Sequence, residues 1–222
     1  MANTPSCPVF RPPLAGRRLR LATAWLTGCS GCHMSLLDLD DGLLELVRRV
    51  EIVYSPIASD CKIYPEAVDV CLVEGAVATT DNLALAQLLR QRTAVVVAFG
   101  DCAVTSNVPG LRNLCGDRRW VGSTASGVDH DPWGEPPPLG RGSAAAALDR
   151  AVRQLADAGS GPPVAAGPLP ALLEPVLPLH AVIAVDLQLP GCPPPAERIR
   201  RLLEALLRGE RPQLQPADLR FG

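Results

Sequence analysis

Leu19-Arg20-Leu21-Ala22-Thr23-Ala24-Trp25-Leu26 runs straight into Thr27-Gly28-Cys29-Ser30-Gly31-Cys32-His33. The apolar run is short and ends in a Gly/Cys/Ser turn, which predicts a strand buried on both faces followed by a tight connection. Beyond the turn, residues His33 to Arg49 carry Leu37, Leu44 and Val47 among their apolar positions, and a helix is expected there. Asp38, Asp40 and Asp41 stand in its first half and Arg48 and Arg49 at its end. That polarity suits the helix dipole.

Working outward, the alternation repeats. Val50–Tyr54 and Val68–Val73 read as strands, the second ending at Glu74-Gly75. Thr80–Arg92 has helical spacing with Thr79 or Thr80 as N-cap. Thr93–Phe99 is a β-branched apolar run that stops at Gly100. Residues 108–142, rich in Gly, Pro and Trp, form a long loop in this reading, and Ser143–Ala158 a helix with Leu148, Val152 and Leu155 on one face. A Pro-rich link then leads to a strand at about His180–Asp186. Pro195–Arg208 is the last helix, with Ile199, Leu202, Leu203 and Leu206 apolar and Gly209 placed to stop it. Strands alternating with helices predict an α/β fold: a flavodoxin-like open parallel sheet with helices on both faces. The expected organisation is a loose N-terminal arm over 1–18, one domain over 19–209 and a C-terminal tail over 210–222.

Composition bounds what this domain does. The chain has 222 residues, 21 basic against 23 acidic, and a formal net charge of −2. No basic excess exists to neutralise a phosphate backbone, and three Trp, two Tyr and three Phe are too few for base-stacking platforms, so nucleic acid is not expected as a partner. No apolar run approaches the ~20 residues that span a bilayer. A domain of this size buries roughly 70% of its unfolded surface and needs no staple. Eight cysteines in such a chain therefore ask for a reason.

Ligands in open α/β sheets bind beyond the carboxyl ends of the strands. Cys29 and Cys32 follow the first strand, Cys102 follows Thr93–Phe99, and Cys192, in Leu189-Pro190-Gly191-Cys192-Pro193-Pro194, follows the last. In such a fold, four thiols from three loops converge on one edge. Cys7 lies in the arm, Cys61 in a loop, Cys71 inside a strand and Cys115 in the long insertion, with no shared placement. Four thiolates suit a structural zinc or an iron–sulfur cluster. Structural zinc usually draws on two close pairs; here one close pair joins two distant single cysteines, which favours a [4Fe–4S] cluster. Glycines 28, 31, 100 and 191 would let backbone N–H groups approach its sulfurs, and a helix N-terminus after Cys32 would favour its negative charge.

Rival readings use fewer of these residues. Cys29-Ser30-Gly31-Cys32-His33 has the c-type haem attachment pattern, and the Cys-x-x-Cys pair alone resembles a thioredoxin-like redox motif. Both leave Cys102 and Cys192 unexplained. Leu26-Thr27-Gly28-Cys29 has the form of a lipoprotein cleavage box behind Arg17, Arg18 and Arg20, but its apolar stretch, Leu21 to Leu26, is shorter than a signal core of about 7–15 residues. Arg17-Arg18 as a twin-arginine signal would put the cysteines in or beside the removed segment.

The run Trp25-Leu26-Thr27-Gly28-Cys29-Ser30-Gly31-Cys32-His33-Met34-Ser35-Leu36-Leu37-Asp38 resembles the opening of small subunits of nickel–iron hydrogenases, and is most similar to the cytoplasmic, NAD-reducing type. Leu72-Val73-Glu74-Gly75-Ala76-Val77, Phe99-Gly100-Asp101-Cys102-Ala103, Asn107-Val108-Pro109 and the Cys192 block follow in the family's order. The resemblance implies that Cys29, Cys32, Cys102 and Cys192 ligate a proximal [4Fe–4S] cluster facing a Ni–Fe centre in a separate large subunit. It implies further partners, the flavin and iron–sulfur diaphorase subunits that reduce NAD⁺, and a cytoplasmic setting. Glu74 becomes a candidate for the proton route; capping of Gly-rich backbone N–H groups is the equally weighted structural alternative. No cysteine follows Cys192, so this chain is expected to hold one cluster. Some family members are thought to carry FMN, and Thr27-Gly28 and Ser30 faintly resemble a phosphate loop. The alternatives are a hydrogenase using another soluble acceptor, such as a deazaflavin, and a structural zinc scaffold held by the same four cysteines.

Overall fold

A computed structural model describes residues 17–114 and 170–212. Seven strands and six α-helices are found among them: β1 Leu19–Trp25, α1 Gly31–Leu37, α2 Asp41–Arg49, β2 Val50–Tyr54, β3 Val68–Glu74, β4 Val77–Thr79, α3 Thr80–Arg92, β5 Thr93–Phe99, α4 Asp101–Thr105, α5 Asn107–Gly110, β6 Leu172–Leu177, β7 Leu187–Leu189 and α6 Ala196–Leu207. The main sheet has the order β2-β1-β3-β5-β7 with every pair parallel. Taking its strands in chain order, this is the flavodoxin-like arrangement, with the switch point between β1 and β3.

Both faces of the sheet are covered, which is why its central strands read as continuous apolar runs. Successive side chains of a strand point to opposite faces. Leu19, Leu21, Val70, Leu72, Val95, Val97 and Phe99 face one side, against Leu36 of α1, Leu46 of α2 and Ile199, Leu202, Leu203 and Leu206 of α6. Ala22, Ala24, Cys71, Val73, Val96 and Ala98 face the other, against Ala86 and Leu89 of α3 and Ala103 and Val104 of α4. Thr79 caps α3 as expected, its side chain accepting from Asn82 N.

The single helix expected over His33–Arg49 is two. α1 ends at Leu37, and Asp40 takes φ +49 with ψ −123, a positive-φ conformation outside the left-handed helical region that breaks the helix. Tight i→i+3 bonds (Asp40 N to Leu37 O, Leu43 N to Asp40 O) carry the chain through the break. The strand expected at His180–Asp186 is also absent. Leu179–Ala181 is a 3-10 turn, and Ile183 N bonds to Leu179 O, so that Leu179 and Ile183 bury one face at helical spacing. The strand comes later, at β7, after the Asp186 carboxylate has accepted from Val96 N and Arg90 Nη1. Strands β4 and β6 are additions to the expected set; they pair antiparallel as a separate ribbon. Pro175 lies within β6, which pairs with β4 alone among the described strands.

The chain divides into two units, Met1–Gly110 with Leu172–Gly222, and Leu111–Ala171. Of the second, the described part includes a 3-10 helix at Leu111–Leu114. The expected helix at Ser143–Ala158, most of the long loop and the N-terminal arm before Arg17 lie outside the described residues. Arg17 itself is anchored, bonding both Asp69 carboxylate oxygens at 2.7 and 2.9 Å. Among the described residues, no helix is long and apolar enough to cross a membrane.

Candidate metal centre

The parallel order sends the C-terminal ends of β1, β3, β5 and β7 to one edge, and the four singled-out cysteines follow three of these strands. Cys32 is buried in the first turn of α1, Cys102 is half-buried in α4, and Cys29 and Cys192 are exposed. The thiols sense one another. Burial, then the Glu74 carboxylate, then Cys102, Cys29 and Cys192 push the Cys32 thiol up. Burial followed by Cys192, Cys29, Glu74 and Asp101 takes Cys102 up to about 11. Thiols that resist ionising alone, as Cys32 and Cys102 do, are ones that a cationic metal core would deprotonate on binding. The donor set is therefore chemically suited to iron–sulfur ligation. Among the described residues, no three His, Cys, Asp or Glu side chains are gathered as a ready single-ion site.

Close backbone approach brings Cys32 against the turn after β5. Gly100 adopts φ +83, and a Cβ there would collide with Cys32 Sγ. Gly100→Ala is expected to lose about 2 kcal/mol or more by urea unfolding and to lower iron retention. Wild-type values for both would show that the contact is dispensable. Of the glycines expected to turn N–H groups toward sulfur, Gly31 does so, its N–H lying 3.4 Å from Cys29 Sγ. Gly100 N donates to Leu189 O and Gly191 N to Asp101 Oδ1 instead.

Glu74, at the end of β3, is 1% exposed and lies beside the first turn of α1. Ser30 occupies the N-cap position in a left-handed conformation and makes no side-chain cap. Glu74 fills that role from the neighbouring strand: Oε1 accepts from Cys32 N at 3.3 Å and Oε2 from His33 N at 3.0 Å. Oε2 also accepts from His33 Nδ1. His33 is fully buried, edge-on to Phe99, and its Nε2 has no partner among the described residues. The helix N-terminus expected to face a cluster is thus occupied by an internal carboxylate.

The same contacts answer the flavin expectation. A flavodoxin-type phosphate would sit on the N–H groups of the β1–α1 turn. Here those of Gly31, Cys32 and His33 are engaged, the Thr27 hydroxyl donates to Asn82 Oδ1, and the Ser30 hydroxyl donates to Cys29 O. The turn does not fit the phosphate of FMN.

Two contacts missed from the sequence bind the Cys192 loop. Asp101 clamps Gly191, and the buried Ser35 hydroxyl donates to Pro194 O at 2.6 Å, tying α1 to that loop. Asp101 stands directly before Cys102, which is the one local signal that pointed to it. The other cysteines behave as expected where they are described. Cys71 is fully buried in β3, its thiol pushed up to about 12 by desolvation, and Cys61 is exposed, its thiol donating to Ile63 O. Cys7 and Cys115 lie outside the described residues.

With this geometry in place, known proteins offer a comparison. The sequence pattern of the family described as NADH ubiquinone oxidoreductase, 20 Kd subunit, matches residues 29–206. A subunit of the F420-non-reducing hydrogenase vhu from Methanocaldococcus jannaschii is 36% identical over 189 residues, covering 85% of this chain and 56% of that protein. This chain thus spans little more than half the length of that relative. Subunit delta of the NAD-reducing hydrogenase HoxS of Cupriavidus necator is 30% identical over 216 residues, covering 94% and 87%. A crystal structure of an NAD⁺-reducing [NiFe]-hydrogenase in the H2-reduced state contains a chain of the same fold, with TM-score 0.67 and 34% identity over 93% of this chain and all of that one.

Proposed function

This chain belongs to the NADH ubiquinone oxidoreductase 20 kDa subunit family as a hydrogenase small subunit, and from that membership we propose that it is the electron-transfer subunit of an NAD-reducing [NiFe] hydrogenase. The observation that carries the metal assignment is the placement of the four cysteines, after β1, β5 and β7, at one edge of the parallel sheet. Cys29, Cys32, Cys102 and Cys192 would hold one [4Fe–4S] cluster. When bound, that group would relay single electrons between a Ni–Fe centre in a large subunit and diaphorase subunits that reduce NAD⁺.

The chain's own residues hold and orient. Gly100 admits Cys32 against its backbone, and Ser35 fastens the Cys192 loop to α1. Glu74 holds α1 by its first N–H groups; with both oxygens so engaged, capping is its role in this reading, ahead of carrying a proton. Trp25 and Met34, flanking the cysteine turn, are 44% and 45% exposed, which suits a site covered by a large-subunit partner. NAD as acceptor rests on the HoxS relative and the NAD⁺-reducing structure, and a cytoplasmic setting on the same likeness. The F420-non-reducing relatives favour the second reading, a small subunit serving another soluble acceptor.

Anaerobic purification of the assembled complex, followed by separation of this subunit, is expected to give a brown protein with about four iron and four sulfide. A colourless subunit holding one zinc would replace the redox reading with a scaffold. H₂-dependent reduction of NAD⁺, compared with other soluble acceptors, decides between the two hydrogenase readings.

A further inference from the structure

The loop that presents Cys192 has little of its own to hold it. It follows a three-residue strand, contains Pro190, Pro193, Pro194 and Pro195, which donate no hydrogen bonds, and leaves Cys192 exposed. Ser35 Oγ and Arg198 Nη1 donate to its Pro194 and Pro190 carbonyls, and the turn after β5 supplies the rest. Gly100 N donates to Leu189 O at 2.8 Å and Asp101 N to Gly191 O at 2.9 Å. The Asp101 carboxylate completes the set, with Oδ1 accepting from Gly191 N at 2.6 Å. That last bond has no substitute nearby. Gly191 is buried at φ +136, and a Cβ there would lie 2.5 Å from Pro194 Cα, so the loop cannot turn its N–H outward without unpacking.

Asp101 is only 4% exposed, and no cationic side chain pairs with its carboxylate among the described residues. Burying a carboxylate is costly unless it is hydrogen-bonded, and among the described residues this side chain takes its bond from Gly191 N.

We infer that Asp101 is a positioning residue that latches the Cys192 loop to the Cys102 turn and so keeps the fourth thiol with the other three. This rests on the reading of the four cysteines as cluster ligands. The carboxylate acts through Gly191 N. Two substitutions test the latch. Asp101→Asn keeps an oxygen for Gly191 N, whereas Asp101→Ala loses it.

The test uses the chain purified anaerobically with its partner subunits, with iron and sulfide content and chelator-driven iron loss as readouts. Asp101→Asn is expected to retain wild-type iron and sulfide and to lose iron to chelator at the wild-type rate, a rescue by the variant that keeps the acceptor oxygen. Asp101→Ala is expected to surrender iron to chelator about tenfold faster than wild type. An Ala variant with wild-type iron loss overturns the latch. If the Ala variant fails to fold, Asp101→Asn losing iron as wild type does still supports the latch, and faster loss counts against it. Wild-type protein without iron would overturn the cluster assignment itself, an outcome separate from the latch.

Discussion

Cys192→Ser is expected to abolish H₂-dependent acceptor reduction by the assembled complex, by about two orders of magnitude or more, whereas Cys71→Ser leaves it close to wild type. A hydroxyl is a poor replacement for a thiolate on iron, and loss of a direct ligand should exceed the 10–100-fold effects usual for outer-shell changes. The control is demanding because Cys71 is the most buried of the described cysteines. It sits in the centre of β3 beside the Tyr64 hydroxyl, and a serine keeps a partner for that hydroxyl. Its substitution costs stability, about 1–3 kcal/mol for a buried polar change, without touching the strand ends where the other thiols meet. Iron analysis of both variants checks the distinction. Equal loss of iron would mean that the four thiols are not set apart by their placement, and the proposed site would fall.

The second large effect is on stability. Glu74→Ala is expected to lower the unfolding free energy by about 3–5 kcal/mol, read from urea denaturation. The alanine removes the acceptor of two backbone N–H groups and one ring N–H, all buried, and leaves His33 without its only hydrogen-bonded side-chain partner among the described residues. Since a domain's whole stability is about 5–15 kcal/mol, such a loss is severe. Glu74→Gln keeps one acceptor oxygen but turns an amide N–H toward donors, so it should fall between the two. The proton-route alternative makes a different forecast: Gln would leave the unfolding curve unchanged and stop turnover. Urea unfolding and hydrogenase assay of the same two variants separate the roles.

Much of the architecture was legible because burial on both faces writes itself as continuous apolar sequence. Leu19–Trp25, Val68–Glu74 and Thr93–Phe99 needed no more than that, and Thr79 announced α3 through its side chain. The errors came where two conformations bury the same residues. Leu179 and Ile183 are as apolar in a tight helical turn as in a strand, and only the Asp186 contact with β5 shows where pairing begins. The break near Asp40 was hidden because both halves keep apolar positions at helical spacing. The placement of Cys29, Cys32, Cys102 and Cys192 beyond strand ends was also legible in the order of apolar runs. The roles of Glu74 and Asp101 were not, because each depends on a pairing across the sheet: Trp25 beside Glu74, and Phe99 beside Leu189. A local pattern can mark such residues as unusual without saying what they hold.

The order of the sheet also has a biosynthetic consequence. Cys29, Cys32 and Cys102 belong to strands that neighbour or flank β3, but Cys192 joins them only after β7 has paired with β5. A nascent chain emerging from the ribosome therefore displays three of the four candidate thiols well before the fourth is translated. Metal offered at that stage would meet an open tripod, with the edge of β5 still unpaired and the face that α6 later covers exposed. The fourth thiol thus takes its place beside the other three only when β7 has closed the β5 edge.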